Sequence, residues 1–160
     1  MSSSELITIR QLSTNDLPLM ESLLTIFGEA FNEVDTYSSS RPSTAYLKRL
    51  LNSNYFIALA ALKYGSVVGG IAAYELQKFE QERSEIYIYD LAVVAAHRRE
   101  GIATALIEEL KKIAVARAAY VIFVQADIED VPAIALYTKL GVREDVLHFD
   151  IAVVVSDDDA

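Results

Sequence analysis

Residues Arg98-Arg99-Glu100-Gly101-Ile102-Ala103 set the strongest constraint on how this chain folds, because they separate two patterns of different period. Before them runs the strand-like segment Ile86-Tyr87-Ile88-Tyr89-Asp90-Leu91-Ala92-Val93-Val94. After them Ile102, Leu106, Leu110 and Ile113 repeat at helical spacing, with Glu108, Glu109, Lys111 and Lys112 on the other face. A small-residue turn between strand and helix leaves the first N–H groups of the helix free, and the helix dipole favours an anion there. Gly101 has no side chain to block a ligand, and Arg98 and Arg99 add fixed positive charge. The cluster is a local exception in a chain with a formal net charge of −9.

That acidity argues against a nucleic-acid partner, which needs a basic face. It suits a polycationic ligand, although solubility alone also accounts for it. The chain has no cysteine, which excludes disulfides, thiolate metal ligands and a cysteine nucleophile. Its two histidines, His97 and His148, are too few for a histidine-rich site, and no metal is expected. Apolar runs fall short of a membrane span, and Met1 to Glu5 lacks a signal-peptide pattern. The expectation is a soluble, cytoplasmic protein with no membrane partner. With 160 residues and no repeat or long linker, one domain over 1–155 is expected, followed by an acidic, disordered tail at 156–160.

Leu6 to Leu12 alternates and reads as a strand. Thr14, Asn15 or Asp16 can cap a helix reaching about Phe27, with Leu19, Leu23 and Ile26 on one face. Asn32 to Arg41 is polar and turn-rich, and Pro42-Ser43 opens a second helix carrying Tyr46, Leu47, Leu50 and Leu51. Tyr55 to Leu62 and Val67 to Leu76 flank Lys63-Tyr64-Gly65-Ser66 as a hairpin, and Glu85 to Val94 is a central strand. Tyr120 to Val124 is a short buried strand, and Pro132 opens a helix that stops at Leu140-Gly141. Val142 to Val155 contains further strand-like segments. The order implies an α/β domain with helices on both faces of a mixed sheet.

A strand, then Arg98-x-x-Gly101-x-Ala103, then a helix, a strand and a helix containing Tyr137, resembles the GNAT acetyltransferase superfamily and its acetyl-coenzyme A signature. Longer strings are similar to the aminoglycoside 3-N-acetyltransferases of that superfamily, the gentamicin acetyltransferase type. They include Phe56-Ile57-Ala58-Leu59-Ala60-Ala61, Lys78-Phe79-Glu80-Gln81, the run from Ser84 to Val93, Val124-Gln125-Ala126-Asp127, Ala135 to Gly141 and His148-Phe149-Asp150-Ile151. The likeness spans about Phe27 to Ile151 and implies a GNAT-type fold with a mostly antiparallel sheet. It also implies acetyl transfer from acetyl-coenzyme A to the 3-amino group of a deoxystreptamine antibiotic, hence antibiotic resistance, and a homodimer.

On this reading the main chain of Arg99, Glu100, Gly101, Ile102, Ala103 and Thr104 holds the pyrophosphate, with charge from Arg98 or Arg99. The edge of Leu91, Ala92 and Val93 pairs with the pantetheine arm, and a splay opens between this strand and Tyr120–Val124. Tyr137 falls where the superfamily often has a tyrosine that protonates the departing thiolate; packing among Ile134, Leu136 and Leu140 is the alternative.

Asp90 stands out without any resemblance. A carboxylate in an apolar strand is costly unless satisfied or used. On a regular strand it shares the face of Ile88 and Ala92. It can take a proton from a substrate ammonium, anchor that cation, or simply bond to main chain. Glu33, Asp35, Asp127 and Asp150 are further candidates for a polycation, as are Glu80, Glu129 and Asp130; Tyr37, Tyr87 and Tyr89 are candidates to stack on sugars. A polyamine, another small amine or a protein amine remains an alternative substrate. A coenzyme A-binding sensor without turnover is the reading outside catalysis.

Overall fold

The computed structural model describes residues 7–154, which fall into two units divided after Gln125. The acidic tail, Leu6 and Val155 lie outside the described residues. Among the described residues, no helix is long and apolar enough to cross a membrane.

The first unit is a five-stranded sheet in the order β1-β2-β3-β4-β5. The strands are β1 (Ile7–Gln11), β2 (Phe56–Lys63), β3 (Ser66–Gln77), β4 (Ser84–Val93) and β5 (Ala119–Val124). Neighbours are antiparallel except β4 and β5, which run parallel. Parallel pairing requires a crossover, and α3 (Ile102–Ala116) supplies it. The β2–β3 hairpin turns at Tyr64 and Gly65, whose φ values of 54° and 80° match the twist of the flanking strands.

One face of the sheet carries Ala58, Ala60, Ala72 and Ala92, small enough for α1 (Leu17–Ala30) and α2 (Thr44–Asn52) to lie close. Met20, Leu23, Phe27 and Leu47 fill the space between. Each such fully buried side chain contributes about 1.5–3 kcal/mol. Met20 and Phe27 take the inward position expected of Leu19, which is half-buried. The opposite face presents Ile57, Leu59, Ile71 and Ile86, and α3 brings Ile102, Leu106, Ile107, Leu110 and Ala114 to the core. Ile113, expected on that face, is half-buried, because a 3.6-residue turn carries the stripe round to Ala114 instead.

Asp16 sits at the start of α1 but does not cap it. Its buried carboxylate accepts from Ser13 N–H at 2.8 Å and pairs with Arg10 at 2.6 Å, fastening the β1–α1 corner. Ser43 does cap α2, accepting from Tyr46 N–H at 3.1 Å. The stretch read as polar and turn-rich between these helices contains a π-helical turn, Asp35–Ser39.

In the second unit, α4 (Val131–Leu140) has Pro132 in its first turn and Asp130 as N-cap, accepting from Ala133 N–H at 3.2 Å. The expected strand-like segments after Gly141 are not formed over residues 142–154. Their apolar side chains, among them Val142, Leu147, Phe149, Ile151 and Val153, are exposed. The pattern has strand character, but a strand exists only where a second edge accepts its main-chain bonds.

Candidate active site

The turn at residues 98–103 is built from local backbone geometry. β4 ends in a 3-10 turn, Ala95–His97, after which Arg98 is extended. Arg99 and Gly101 both have positive φ, 64° and 81°. Left-handed residues interleaved with right-handed ones turn successive N–H groups toward one side, the geometry of an anion nest. A Cβ on Gly101 would meet nothing within 4 Å, so the backbone conformation rather than space favours glycine there. No side chain caps α3, and the first bond into it is from Ala105 N–H to Gly101 O, at 3.0 Å. The preceding N–H groups are left for a ligand or water.

The side chains of this turn behave differently from one another. Arg98 folds back, its Nε donating to Val93 O at 3.3 Å, while Arg99 is exposed. Glu100 points to Lys63 Nζ at 3.1 Å and His97 Nδ1 at 3.0 Å. Lys63 first, then His97, holds its carboxyl below the usual range. Ile102 is buried and offers only main chain, whereas Ala103 and Thr104 lie on the accessible side of the first turn. Lys63 was not among the sequence candidates. As a hairpin lysine remote in sequence it carries no local signal.

β4 and β5 pair only from Ser84/Ala119 to Ile88/Val124. From Tyr89 to Val93, β4 has β3 as its only strand neighbour among the described residues. Val94 N–H donates to Val68 O on the β3 side at 2.9 Å. By alternation Ala92 also bonds toward β3, while Leu91 and Val93 direct their main-chain groups to the open side. The available edge is thus Leu91 and Val93, with Ala92 closed and its side chain buried.

Asp90 does not share a face with Ile88. Ala73 pairs with Ile88 but Ala72 pairs with Asp90, which leaves Tyr89 as the extra residue of a bulge. An inserted residue reverses the alternation beyond it. Asp90 therefore joins Ala72 and Ala92 on the α1 side. There Tyr37 Oη, from the π-helical turn, donates to Asp90 Oδ2 at 2.9 Å. Burial raises the Asp90 carboxyl above the usual carboxylate range, the Tyr37 bond opposes this, and Glu33 adds to the rise. The reciprocal effect, burial first and Asp90 second, pushes the Tyr37 phenol up. Burial chiefly raises Tyr74 and Tyr87 as well, with Asp90 a smaller contributor to each.

Next to Asp90 an aromatic row crosses four strands in direct register: Phe56, Tyr74, Tyr87 and Phe123. Tyr87 stacks on Phe123 with centroids 4.7 Å apart and donates to Gln125 Oε1 at 3.0 Å. Tyr89 meets Tyr74 and Tyr87 edge-on, each at 5.9 Å, and remains 61% exposed. The first unit thus groups Glu33, Tyr37, Tyr89 and Asp90, with Asp35 exposed at the head of the π-helical turn.

Tyr137, Asp127 and Asp150 belong to the second unit. Burial, then Asp130, pushes the Tyr137 phenol up to about 12. Asp127 and Asp150 are exposed, and Asp150 Oδ1 lies 2.9 Å from His148 Nε2.

Comparison with known proteins adds the following. No curated protein matches the chain. The model of the acetyltransferase (GNAT) family matches residues 20–142. A crystal structure of an aminoglycoside acetyltransferase from an uncultured soil metagenomic sample is 71% identical, covers 92% of this chain and 99% of its own, and superposes with a TM-score of 0.91. A second aminoglycoside acetyltransferase from such a sample, in complex with sisomicin, is 31% identical, covering 94% and 99%, with a TM-score of 0.88. The aminoglycoside N-acetyltransferase AAC(6')-Iy in complex with CoA is 15% identical, covers 92% and 95%, and has a TM-score of 0.74, a likeness of fold alone. With a mixed sheet, a glycine turn at the mouth of its crossover helix and the family match over most of its length, the chain belongs to the GNAT acetyltransferase family.

Proposed function

We propose that this protein is an aminoglycoside 3-N-acetyltransferase that uses acetyl-coenzyme A and so confers resistance to deoxystreptamine antibiotics such as gentamicin. The observation that carries the substrate class is the 71% identity, over nearly the whole of both chains, to an aminoglycoside acetyltransferase. The choice of the 3-amino group rests on the sequence likeness described above.

Acetyl-coenzyme A supplies an activated acetyl thioester. The residues present fit it: uncapped N–H groups at the start of α3 suit a pyrophosphate, and the Leu91 and Val93 edge suits an amide-bearing arm. Arg99, exposed beside the nest, adds charge, and Glu100 anchors the turn through Lys63.

Asp90 is the base. The titratable groups around it are an acid and phenols, Glu33, Tyr37, Tyr74 and Tyr87, so a substrate ammonium would bring the positive charge. Its carboxylate takes a proton from that ammonium, directly or through water. Glu33 and Asp35 hold further ammonium groups, and Tyr89 offers a ring to a sugar. The family resemblance gives Tyr137 the role of protonating or orienting the departing sulfur; burial, then Asp130, pushes its phenol up to about 12, so it keeps its proton at working pH and is a weaker acid than a thiol.

Gentamicin and acetyl-coenzyme A should give a product heavier by one acetyl group, with NMR placing it on the 3-amine. Acetyl on another amine would overturn the regiochemistry. Turnover confined to polyamines or proteins would favour the alternative substrates, and coenzyme A binding without turnover would favour the sensor. The exposed apolar side chains over residues 142–154 support a homodimer; a monomer mass by sedimentation would exclude it.

A further inference from the structure

Tyr37 reaches Asp90 from a part of the chain that has no other business at β4. It belongs to a π-helical turn, an uncommon conformation that recurs at functional sites. Three features build its position. Its ring packs against Phe27 and Phe31, with centroids 6.3 and 6.2 Å away. Gly28 lies beneath it, where an added Cβ would come within 3.0 Å of Tyr37 Cβ. Glu33 N–H donates to Gly28 O at 2.8 Å and Tyr37 N–H to Glu33 O at 3.2 Å, tying the turn to the end of α1. The bulge at Tyr89 completes the arrangement, since without it the carboxylate would face α3.

We propose that Tyr37 is a positioning residue for acetyl transfer: its hydroxyl occupies Asp90 Oδ2 and leaves Oδ1 as the oxygen that meets the substrate ammonium. This rests on the reading of Asp90 as base. A phenol donor stabilises the ionised carboxylate and fixes its plane, so the base is both charged and aimed before substrate arrives. The other acid and phenols near Asp90 are Glu33 after α1, Tyr74 on β3 and Tyr87 on its own strand. Tyr37 is the one of these that donates to Asp90, and it alone opposes the effect of burial.

The test compares Tyr37→Phe, Asp90→Asn and the double variant with wild type, using gentamicin and acetyl-coenzyme A over a range of pH. In Tyr37→Phe, kcat should fall about tenfold, a part of the roughly 100- to 10,000-fold that a general base itself contributes, with a smaller change in KM. The acidic limb of its pH profile should move to higher pH. In a 13C NMR titration of the free protein, the Asp90 carboxyl midpoint should rise by the same amount. The double variant should be no slower than Asp90→Asn, because Tyr37 would have nothing left to position. Wild-type kcat and an unmoved carboxyl midpoint in Tyr37→Phe, with Asp90→Asn impaired, would overturn the proposal alone. So would a double variant in which the two losses multiply. Wild-type turnover in Asp90→Asn would instead remove the base, and this inference with it. Should Tyr37→Phe melt much below wild type, Gly28→Ala, which crowds the tyrosine and keeps its hydroxyl, should show the same limb shift; an unshifted limb would count against the proposal.

Discussion

Asp90 lies near the end of β4 and the turn at 98–103 follows that strand, yet the two are built in opposite ways. The turn is made from consecutive residues and presents main chain: its character comes from two positive φ angles and an uncapped helix. The Asp90 site is made from side chains on segments far apart, with Tyr37 and Asp90 separated by 53 positions. A main-chain site is insensitive to most side-chain changes and vulnerable to changes of conformation. A side-chain site has the reverse weakness.

The largest effect should come from the side-chain site. Asp90→Asn removes charge and basicity while preserving size, and kcat/KM toward an aminoglycoside should fall about 100-fold. Steady-state kinetics between pH 5 and 9 should show the loss greatest near neutrality and partial recovery at high pH, where free amine is abundant. Because the Asp90 carboxyl lies above the usual range, the wild-type acidic limb should sit higher than that of an ordinary aspartate. A loss confined to KM and mimicked by salt would make Asp90 a cation anchor instead.

Next comes the main-chain site. Gly101→Val forces a branched residue into φ of 81°, which costs about 1–2 kcal/mol. Calorimetry should find coenzyme A affinity about tenfold weaker in a variant that stays folded, its melting temperature lowered by about 2–8 °C. Unchanged affinity in a folded variant would remove the turn from the site. Gly101→Ala should fall between, since the space is open and only the conformation is strained.

Smaller effects should separate the two regions further. Tyr137→Phe should lower kcat about threefold, because a phenol raised to about 12 contributes a hydrogen bond more than a proton. A loss of 100-fold or more would restore it as the proton donor. Lys63→Met leaves Glu100 held by His97 alone and should raise the KM for acetyl-coenzyme A by up to about fivefold, the range of a single modest ion pair, with drug KM unchanged. A matching change in drug KM would show that the two regions are not separable.

The smallest effect concerns stability. The folded-state pKa of Asp90 is raised, so holding its charged form costs stability above that pKa. The cost is absent below the unfolded value of about 3.9. Asp90→Asn should therefore melt higher than wild type at pH 7, and the difference should vanish as pH falls through the raised pKa. A lower melting temperature at neutral pH would mean that the carboxylate is better satisfied than its surroundings suggest.

The contrast between the regions also explains what could be read from sequence. The strands, the helices of the first unit and the glycine turn before α3 follow from local period, turn chemistry and the glycine, so they were legible. The face of Asp90 was not, because the bulge depends on how β3 and β4 share their bonds, and no residue type announces it. Tyr37 was visible only as one aromatic in a polar stretch; its bond to Asp90 requires the sheet and the π-helical turn to exist first. Lys63 has the same limitation. After Gly141 the apolar pattern was visible, but a strand also needs an edge to join, and that is a property of neighbours.

The bulge at Tyr89 has a consequence for how the gene can vary. Losing one codon anywhere between Ile88 and Asp90 would bring β4 back into regular alternation and send the carboxylate to the side covered by α3. Point substitution at Tyr89, which is largely exposed, changes a ring; deletion at the same site changes which layer of the molecule holds the Asp90 carboxylate. In-frame indels should accordingly be tolerated in the exposed connection Phe79–Glu82 and eliminated from β4 under antibiotic selection, however mild the residue lost.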